Sequence, residues 1–399
     1  MTIEPTGTRL ACVAGLLSVL IGGGTCAYPQ QAAPDAVLRA YDFERDSSGW
    51  ITLDAWAELG LTAEPDEVFD GASSLRLTYP GPAAEMEGPR GLASSLAVLL
   101  QGGPPGLCSL RFAIRVSRPT VMAAIAREMD ESDYVCSFFL NAGAWHTIWL
   151  DLSLFSLGDD SDDEDDQLDR DELAAISFLD AGMFLWLLGE TIFQEPPPDA
   201  QERILLLDNV ELRSDPGPVT LEAPPPGETR EGPLLLDDFE ADAILWIPLG
   251  GGDERTLGID ERFAAAGQRS LRAHYQMDRG TLFALLRPLP ANILAGSSGV
   301  RMSLCAMDPA QVAVGVEERD GSRYNKLFEL PGAGDWVTVE ATWDEMERDQ
   351  ETPDENERLD PETIKSLAIA DATAAFSGEA AGTTLWVDQI EVLFGPATD

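Results

Sequence analysis

Asp42-Phe43-Glu44, with Trp50 a few positions later, recurs 196 positions further along the chain as Asp238-Phe239-Glu240, followed by Trp246. Other residues recur in the same order. The matching pairs are Gly71 and Gly267, Ser74 and Ser270, Arg76 and Arg272, Trp145 and Trp336, and the segments 207–211 and 387–391 near the end of each repeat. Such a long period excludes a solenoid, whose repeating unit is about 20–50 residues. The sequence therefore predicts one whole domain that has been duplicated. A duplicated domain carries a repeated surface, which is more typical of binding proteins than of enzymes with a single site.

The duplication divides the 399-residue chain into two domains and a linker. The first domain is predicted over residues 37–213 and the second over residues 234–394, and both sizes lie in the usual range of about 50–250 residues. The segment 214–233 between them is rich in proline, which favours a stiff, extended linker. Since 44% of all residues are hydrophobic, each domain can bury a full core.

Both domains have the pattern of all-β structure. Short runs with alternating apolar and polar residues, such as 109–116 and 312–319, recur between Gly, Pro and Asp residues. Asp320-Gly321 between two such runs predicts a hairpin turn. Asp360-Pro361-Glu362 predicts a single helical turn, because Asp is a good cap and Pro a good first helical residue. Many short strands in each half indicate β-sandwiches.

The chain is strongly acidic, with a formal net charge of −44 and lysine only at Lys326 and Lys365. This balance excludes nucleic acid as a partner and disfavours anionic lipid surfaces, since both need a basic protein surface. It is compatible with divalent cations, with a saline medium, or with a generally acidic proteome. The acidic run 159–166 departs from the EF-hand pattern and is interpreted as a solvated loop.

Residues 1–27 have the pattern of a cleaved signal peptide. Arg9 precedes the apolar stretch 10–21, and Thr25-Cys26-Ala27 offers small residues for cleavage. The apolar stretch is too short for a membrane span of about 20 residues. Attachment of a lipid to Cys26 is the alternative, although the residues before it fit that signal poorly. The sequence thus predicts a secreted, periplasmic or cell-surface protein without a membrane span.

Three cysteines follow the predicted cleavage site. Cys108 and Cys136 lie in neighbouring predicted strands, so an exported protein could join them in a disulfide, or both could be buried thiols. Cys305 has no evident partner. Because the chain has no CxxC motif and no Cys/His cluster, a zinc site is not expected.

The order of these motifs resembles the galactose-binding-like jelly roll of carbohydrate-binding modules and of complex-I intermediate-associated domains. The resemblance rests on Asp-Phe-Glu in a first strand, a Trp after it, Gly-x-x-Ser-Leu-Arg in a later strand, a Trp-x-Thr strand, and Leu-Trp-Val-Asp-Gln-Ile-Glu-Val at 385–392. It covers nearly all of residues 37–394. It implies an all-β chain of two tandem β-sandwich jelly-roll domains. Since the superfamily includes sugar binders and domains without a sugar role, it supports a ligand by analogy only.

Acidic residues in the first and last strands of each domain predict a structural calcium site, because the resembling jelly rolls often hold calcium there. The residues are Glu44 with Asp208, and Glu240 with Asp388. Calcium prefers about six to eight oxygen ligands, so backbone carbonyls and a neighbour such as Asp42 would have to contribute. The alternative is that these carboxylates end strand edges or cap turns.

The sugar-binding candidates are aromatic and polar residues of the middle strands. Trp56 and Trp149 lack an exact partner in the repeat, so they are candidates for exposed stacking platforms, whereas the repeated tryptophans are assigned to the core. On the concave sheet, which binds ligand in the resembling modules, the expected polar and aromatic residues are Arg111, Arg301, Tyr134 and Tyr324, with Glu128 and Glu318 beside them. The alternative is that the charged residues form cross-strand salt pairs on a solvent face.

The prediction for function is an exported, non-catalytic protein that binds a polysaccharide or other glycan. The two histidines, His146 and His274, are not repeated, and no nucleophile elbow, HExxH, P-loop or GxGxxG motif occurs. The alternative from another class is a structural or protein-interaction component of the bacterial cell envelope, with other envelope proteins as partners. A glycoside hydrolase is a third interpretation, because any of the 70 acidic residues could supply a catalytic pair.

Overall fold

The computed structural model describes residues 36–395 except 53, 82–94, 159–160, 162, 164–165, 183–200, 224–229, 231, 253, 353 and 355. The chain divides into two compact units. The predicted signal peptide, with Cys26, lies outside the described residues. In the described part of the chain, no helix is long and apolar enough to cross a membrane.

The described part of the first domain contains twelve strands and three short 3₁₀ turns. The strands are β1 (Val37–Tyr41), β2 (Trp50–Ile51), β3 (Glu58–Thr62), β4 (Ser74–Tyr79), β5 (Ser95–Leu99), β6 (Ser109–Val116), β7 (Thr120–Glu128), β8 (Asp133–Leu140), β9 (His146–Asp151), β10 (Ser156–Leu157), β11 (Leu173–Asp180) and β12 (Arg203–Arg213). Sheet A has the order β3-β4-β12-β6-β9, with β1 beside β12, and sheet B has the order β10-β8-β7-β11-β5-β2.

The described part of the second domain contains the equivalents of these twelve strands and one short helix. The strands are β13 (Leu234–Asp237), β14 (Ile247–Gly250), β15 (Thr256–Asp260), β16 (Ser270–Met277), β17 (Phe283–Pro288), β18 (Ser297–Ala306), β19 (Ala310–Glu318), β20 (Arg323–Leu330), β21 (Trp336–Thr342), β22 (Glu347–Arg348), β23 (Ile364–Asp371) and β24 (Ala381–Phe394), and the helix is α1 (Thr373–Ser377). Sheet C has the order β15-β16-β24-β18-β21, with β13 beside β24, and sheet D has the order β14-β17-β23-β19-β20-β22.

The strand order of sheet A recurs in sheet C and that of sheet B recurs in sheet D, strand for strand. Two antiparallel sheets in each domain confirm the predicted all-β class and the two β-sandwiches. In β19, Val312, Val314 and Val316 are buried while the residues between them are half-buried, which is the alternation of a strand with one face on the core. The domain boundaries remain a prediction, and at the start of the predicted linker Gly217 donates a hydrogen bond to Asp151 of the first domain.

The repeated Asp-Phe-Glu motif forms a turn that buries its phenylalanine. Phe43 has a φ of 54° and Phe239 a φ of 57°, which is the left-handed region that residues other than glycine rarely adopt. The Asp42 carboxylate stabilises this turn by accepting a hydrogen bond from the backbone nitrogen of Glu44 at 3.2 Å. Phe43 is fully buried and contacts Trp50 with ring centroids 6.3 Å apart. The motif therefore places a buried phenylalanine, Phe43, directly before the acidic side chain of Glu44.

None of the three cysteines that the structure describes is in a disulfide. Cys108 directly precedes β6 of sheet A, whereas Cys136 lies in β8 of sheet B. The two residues are thus in different sheets and not in neighbouring strands, and the disulfide considered for them is not formed. Cys136 and Cys305 are buried, as expected for thiols used as small apolar side chains.

Candidate functional site

Trp149 and Arg111 lie directly opposite each other on β9 and β6, two neighbouring strands of sheet A. The register with β12 places Arg111 opposite Glu211, and Ser109 opposite Arg213. Because residues opposite each other in an antiparallel pair project from the same side of the sheet, these five side chains share one surface. We call the surface formed by Ser109, Arg111, Trp149, Glu211 and Arg213 the Trp149 face.

The Trp149 face points away from the core of the first domain. Leu110 and Phe112, on either side of Arg111, are fully buried, so the pleat of β6 turns Arg111 outwards. The Arg111 side chain is 45% exposed, and Trp149 is half-buried. The face therefore offers an aromatic surface and a guanidinium to solvent.

Hydrogen bonds and a stacked guanidinium fix the orientation of the Trp149 ring. The indole Nε1 donates to the Ser109 hydroxyl at 2.8 Å, and that hydroxyl donates to the backbone carbonyl of Asp215 at 2.6 Å. The Arg213 guanidinium lies over the ring, 5.1 Å from its centroid, which is the geometry of a cation–π contact. Because the only polar atom of the ring is bonded inside the protein, the part that remains exposed is carbon surface.

Arg213 is held in place by two carboxylates. It donates to the Asp215 carboxylate at 2.8 and 2.9 Å and to Glu211. The hydrogen bonds from Arg213 hold the pKa of Asp215 below its usual value, and in return they raise the pKa of Arg213. Arg111 lies farther from its carboxylate, 3.7 Å from Glu211 Oε2. Glu211 is thus bonded mainly to Arg213.

Arg301 occupies the position of Arg111 in the second domain, on β18 of sheet C. It is opposite Glu391 of β24 and Glu340 of β21. Its Nε and Nη2 donate to the same oxygen of Glu391 at 3.0 and 2.7 Å. This pair has the form of the cross-strand salt pair that was the alternative to a sugar contact.

Tyr134 and Tyr324 are buried, which corrects the expectation that their rings stack on a sugar at the surface. Their exposed fractions are 1% and 5%, and stacking requires an open ring face. They lie on β8 of sheet B and β20 of sheet D, so the predicted group with Arg111 and Arg301 is divided between the two sheets of each domain. Each tyrosine hydroxyl donates to an aspartate of an acidic loop, Asp163 in the first domain and Asp354 in the second.

Trp56 does not join the Trp149 face. It lies two residues before β3, which is the edge strand of sheet A opposite the edge formed by β9. Its side chain is half-buried, and its Nε1 is buried with no hydrogen-bond partner among the described residues. Trp149 is therefore the tryptophan that the structure brings together with a second predicted residue.

The carboxylates predicted to bind calcium fasten the loop between β3 and β4, and the equivalent loop of the second domain. Glu44 accepts a hydrogen bond from the backbone nitrogen of Ala72 at 2.9 Å. Asp208 accepts bonds from the Ser74 hydroxyl at 2.7 Å and from three backbone nitrogens, those of Phe69, Asp70 and Asn209. Glu240 and Asp388 do the same in the second domain, where they accept from backbone nitrogens of Gln268, Arg269, Ala265, Ala266 and Gln389.

These donors limit what Asp208 can offer to a cation. An ionised carboxylate has about four lone-pair sites, and Asp208 already accepts four hydrogen bonds. Burial raises the pKa of Asp208, and the Ser74 hydroxyl and the backbone donors oppose that shift. A calcium ion at this position would have to displace some of these donors, and its binding remains a prediction.

A buried glutamate anchors the acidic loop of each domain, a role that the sequence interpretation missed. Glu128 accepts a hydrogen bond from the backbone nitrogen of Asp169. Glu318 accepts from the backbone nitrogen of Asp360 at 2.7 Å and from the Thr363 hydroxyl at 2.8 Å. The tyrosine six residues after each glutamate bonds an aspartate earlier in the same loop, so each loop is attached to the sheet at two described points. The repeat of this Glu and Tyr spacing was the signal that could have revealed the role.

Glu128 belongs to a cluster of three acidic side chains. Carboxylate oxygens of Glu128, Asp130 and Asp163 lie within 4.8 Å of one another. The pKa of Glu128 is raised to about 7, chiefly by burial and further by the charges of the nearby aspartates, against the lowering effect of the Asp169 backbone donor. Since Asp163 and Glu128 each accept a bond that fixes the loop, their arrangement fits an anchor better than the catalytic pair of a hydrolase.

An aromatic cluster on sheet C contains the repeated Trp336, which corrects its assignment to the core, and it also contains Trp386 of the last strand. Trp386 lies between Leu385 and Val387, which are fully buried, so Trp386 projects to the outer side of β24. Phe263 stacks on Trp336 with ring centroids 5.2 Å apart and meets Trp386 edge-on at 5.0 Å. The cluster packs the loop before β16 onto the sheet.

Comparisons with solved structures give carbohydrate-binding modules at low similarity. The family 11 module from Clostridium thermocellum, solved with a β-1,3-1,4-mixed-linked tetrasaccharide, shares 16% identity over 42% of this chain and 98% of its own, with a TM-score of 0.34. The tandem family 22 modules of Xyn10C from Paenibacillus barcinonensis share 16% identity over 92% of this chain and 100% of their own, with a TM-score of 0.29. An exo-β-agarase shares 14% identity over 46% of this chain and 26% of its own, with a TM-score of 0.31.

No protein-family model matches the sequence. A search of curated proteins gives no match either. The structural similarities are too low to transfer a ligand, so the function is argued from the residues of this chain.

Proposed function

We propose that this protein is an exported, non-catalytic glycan-binding protein and that the Trp149 face binds the sugar. The observation that supports this is the adjacency of Trp149 and Arg111 on the solvent side of sheet A. An aromatic ring packs against the apolar face of a pyranose, while guanidinium and carboxylate groups bond its hydroxyls. Trp149 supplies the ring, Arg111 the donors and Glu211 an acceptor.

The Trp149 face is organised before ligand binds. Trp149 is fixed by Ser109 and by the stacked Arg213, and Arg213 is itself fixed by Asp215. Side chains that are already ordered lose little conformational entropy when a ligand arrives, which favours affinity from a small contact area. A rigid β face of this kind suits a polymer that lies flat across several strands.

The charges of the face favour an uncharged glycan. Arg111 and Arg213 are balanced by Glu211 and Asp215, so the surface has no net charge to attract an anion. The remainder of a chain with net charge −44 repels anionic polysaccharides at long range. Sugar hydroxyls both donate and accept hydrogen bonds, so an array of paired guanidinium and carboxylate groups can satisfy them.

The test is binding of the folded protein to a glycan and polysaccharide array, compared with Trp149→Ala. We expect a selective signal for one or a few neutral glycans and its loss in the variant. Phe376→Ala is the matched control, because Phe376 is a 64% exposed aromatic residue on α1 of the other domain. A folded protein that gives no signal on the array would refute the proposal.

The outer side of sheet D favours a second candidate, an interaction component of the cell envelope. Its centre is small or apolar, because Ala313 is opposite Ala370 on one neighbouring strand and opposite the 45% exposed Leu327 on the other, and the ion pair of Arg323 with Glu317 lies farther along the same side. A surface of this kind lacks stacking rings and suits a protein partner. If cross-linking to envelope proteins is abolished by Leu327→Glu while the glycan array stays blank, this function replaces glycan binding.

A further inference from the structure

The Trp149 face is not preserved in the second domain, although the domain is a repeat. Arg111 and Glu211 are kept as Arg301 and Glu391. The register places Glu340 opposite Arg301, where the first domain has Trp149 opposite Arg111. The only aromatic ring of the face is thus exchanged for a carboxylate.

Two further positions of the face differ together with the tryptophan. Gly299 is opposite Leu393 in sheet C, where Ser109 is opposite Arg213 in sheet A. A Cβ atom at Gly299 would lie 2.5 Å from the backbone oxygen of Ala341, so a serine does not fit there without a backbone shift. The second domain therefore lacks the ring, the hydroxyl that bonds the ring, and the guanidinium that covers it.

The exchange of Arg213 for Leu393 also changes the arginine that remains. In the first domain Glu211 is bonded by Arg213, and Arg111 stays 3.7 Å from it. In the second domain no guanidinium comes from position 393, and Glu391 accepts both Nε and Nη2 of Arg301. Arg213 thus binds the Glu211 carboxylate in place of Arg111. Leu393 cannot bind Glu391, so Arg301 remains in an ion pair with that carboxylate.

We propose that the chain has a single glycan site of this type, on the first domain, and that Arg213 is a positioning residue that makes Arg111 available to the sugar. This inference rests on the proposed function. It assigns Arg301 to a structural pair, and it predicts one bound ligand per chain at these faces and no avidity between the two domains.

The test uses equivalent residues of the two domains as matched variants. Migration of the full chain is measured by affinity electrophoresis through gels that contain mixed-linked β-glucan, xylan or agarose. We expect Arg111→Ala and Trp149→Ala to weaken binding by about 10-fold or more, as for residues at the centre of an interface. Arg301→Ala and Glu340→Ala should leave retention within about 2-fold, since neither faces the ligand.

The positioning role has its own readout. Arg213→Leu installs the residue of the second domain, and we expect it to weaken binding as much as Arg111→Ala although Arg111 is intact. The double variant Arg111→Ala, Arg213→Leu should lose less affinity than the sum of the two single losses, because both changes remove the contact of Arg111 with the sugar, although Arg213 also covers the Trp149 ring. Arg213→Lys, which keeps the charge beside Glu211, should restore part of the affinity.

The outcomes separate the inference from the proposed function. Equal losses in Arg111→Ala and Arg301→Ala, or two ligands per chain, would show that both domains bind and would overturn the inference alone. Additive losses in the double variant would overturn the positioning role. A wild-type chain that is folded but gives no signal on the glycan array and migrates freely through all three gels overturns the proposed function and the inference with it.

Discussion

The guanidinium of Arg203 donates to the buried carboxylate of Asp180 at 2.8 Å in the core of the first domain. Tyr79 also donates to this carboxylate, at 2.6 Å. The equivalent carboxylate of the second domain, Asp371, accepts from Tyr275 at 2.8 Å and from Thr373, with no arginine among the described residues. The first repeat thus stabilises this buried acid with a cation, and the second with hydrogen bonds from uncharged donors.

The first prediction concerns the loss of this cation. Arg203→Met leaves Asp180 buried without its counter-charge, so we expect the unfolding free energy of the first domain to fall by about 3–5 kcal/mol. The double variant Arg203→Met, Asp180→Asn should recover part of the loss, because a neutral amide is cheaper to bury than a charge. Urea unfolding of both variants measures this, and a single variant as stable as the wild type would contradict it.

A second prediction follows from the close contact between Gly267 and Glu240. Gly267 has a φ of 65°, and a Cβ atom there would lie 2.2 Å from Glu240 Oε1. Placing alanine in the left-handed region costs about 1–2 kcal/mol. We expect Gly267→Ala to lower the unfolding free energy of the second domain by more than this, because Glu240 must also move away from the backbone nitrogens that it accepts from. Gly321→Ala is the control, since Gly321 has a φ of 88° and nothing within 4 Å. Equal losses in thermal unfolding would show that the contact contributes nothing.

The fold could be predicted from the sequence because its strongest signals were local or repeated. The duplicated motifs predicted a duplicated domain, and the strands of the two domains match one for one. The Asp320-Gly321 pair lies in the turn between β19 and β20, as predicted. The helical turn predicted near Pro361 is present as a 3₁₀ turn over Pro361–Thr363. Each of these depends on residues that are close in sequence or on the comparison of the chain with itself.

The candidate site could be predicted only in part, because a face of a sheet depends on strand register. A shift of one residue turns every side chain of a strand to the other face. Periodicity could not therefore show that Tyr134 points into the core while Arg111 points to solvent. The substitution of Glu340 for Trp149 was visible in the sequence, but its partners on the neighbouring strands were not.

A third prediction tests the calcium sites at Glu44 with Asp208 and at Glu240 with Asp388. Bound calcium that replaces backbone donors would stabilise the folded state by mass action and raise Tm with calcium concentration. The hydrogen-bonded arrangement of the structure instead predicts the same Tm in calcium and in chelator. Differential scanning calorimetry with and without chelator distinguishes the two. A calcium-dependent rise that is lost in Asp208→Asn would establish the site in the first domain.

A fourth prediction concerns pH and Glu128. Burial raises the pKa of Glu128 to about 7 in the folded state, so the folded protein holds this proton more tightly than the unfolded chain. The contribution of the protonated group to stability is fully present below its unfolded pKa, and it is lost as pH rises through about 7. Glu128→Gln should thus reduce the fall in unfolding free energy between about pH 5 and about pH 8, because the amide does not ionise. Urea unfolding at both pH values measures the difference, and the exposed Glu351→Gln serves as the control.

The last prediction concerns salt and the net charge of −44. Like charges held close together in a compact state repel one another, and the unfolded chain relieves this repulsion by expanding. Salt at about 1 M shortens the Debye length to about 3 Å, so it should stabilise the folded state relative to about 0.01 M, where the length is about 30 Å. We expect Tm to rise with sodium chloride and with choline chloride alike, since screening does not depend on the identity of the cation. A rise in Tm with sodium but not with choline would instead indicate specific cation binding. No rise in either salt would contradict the prediction. It would show that the carboxylates lie too far apart, or are too well paired with arginine, for repulsion to limit stability.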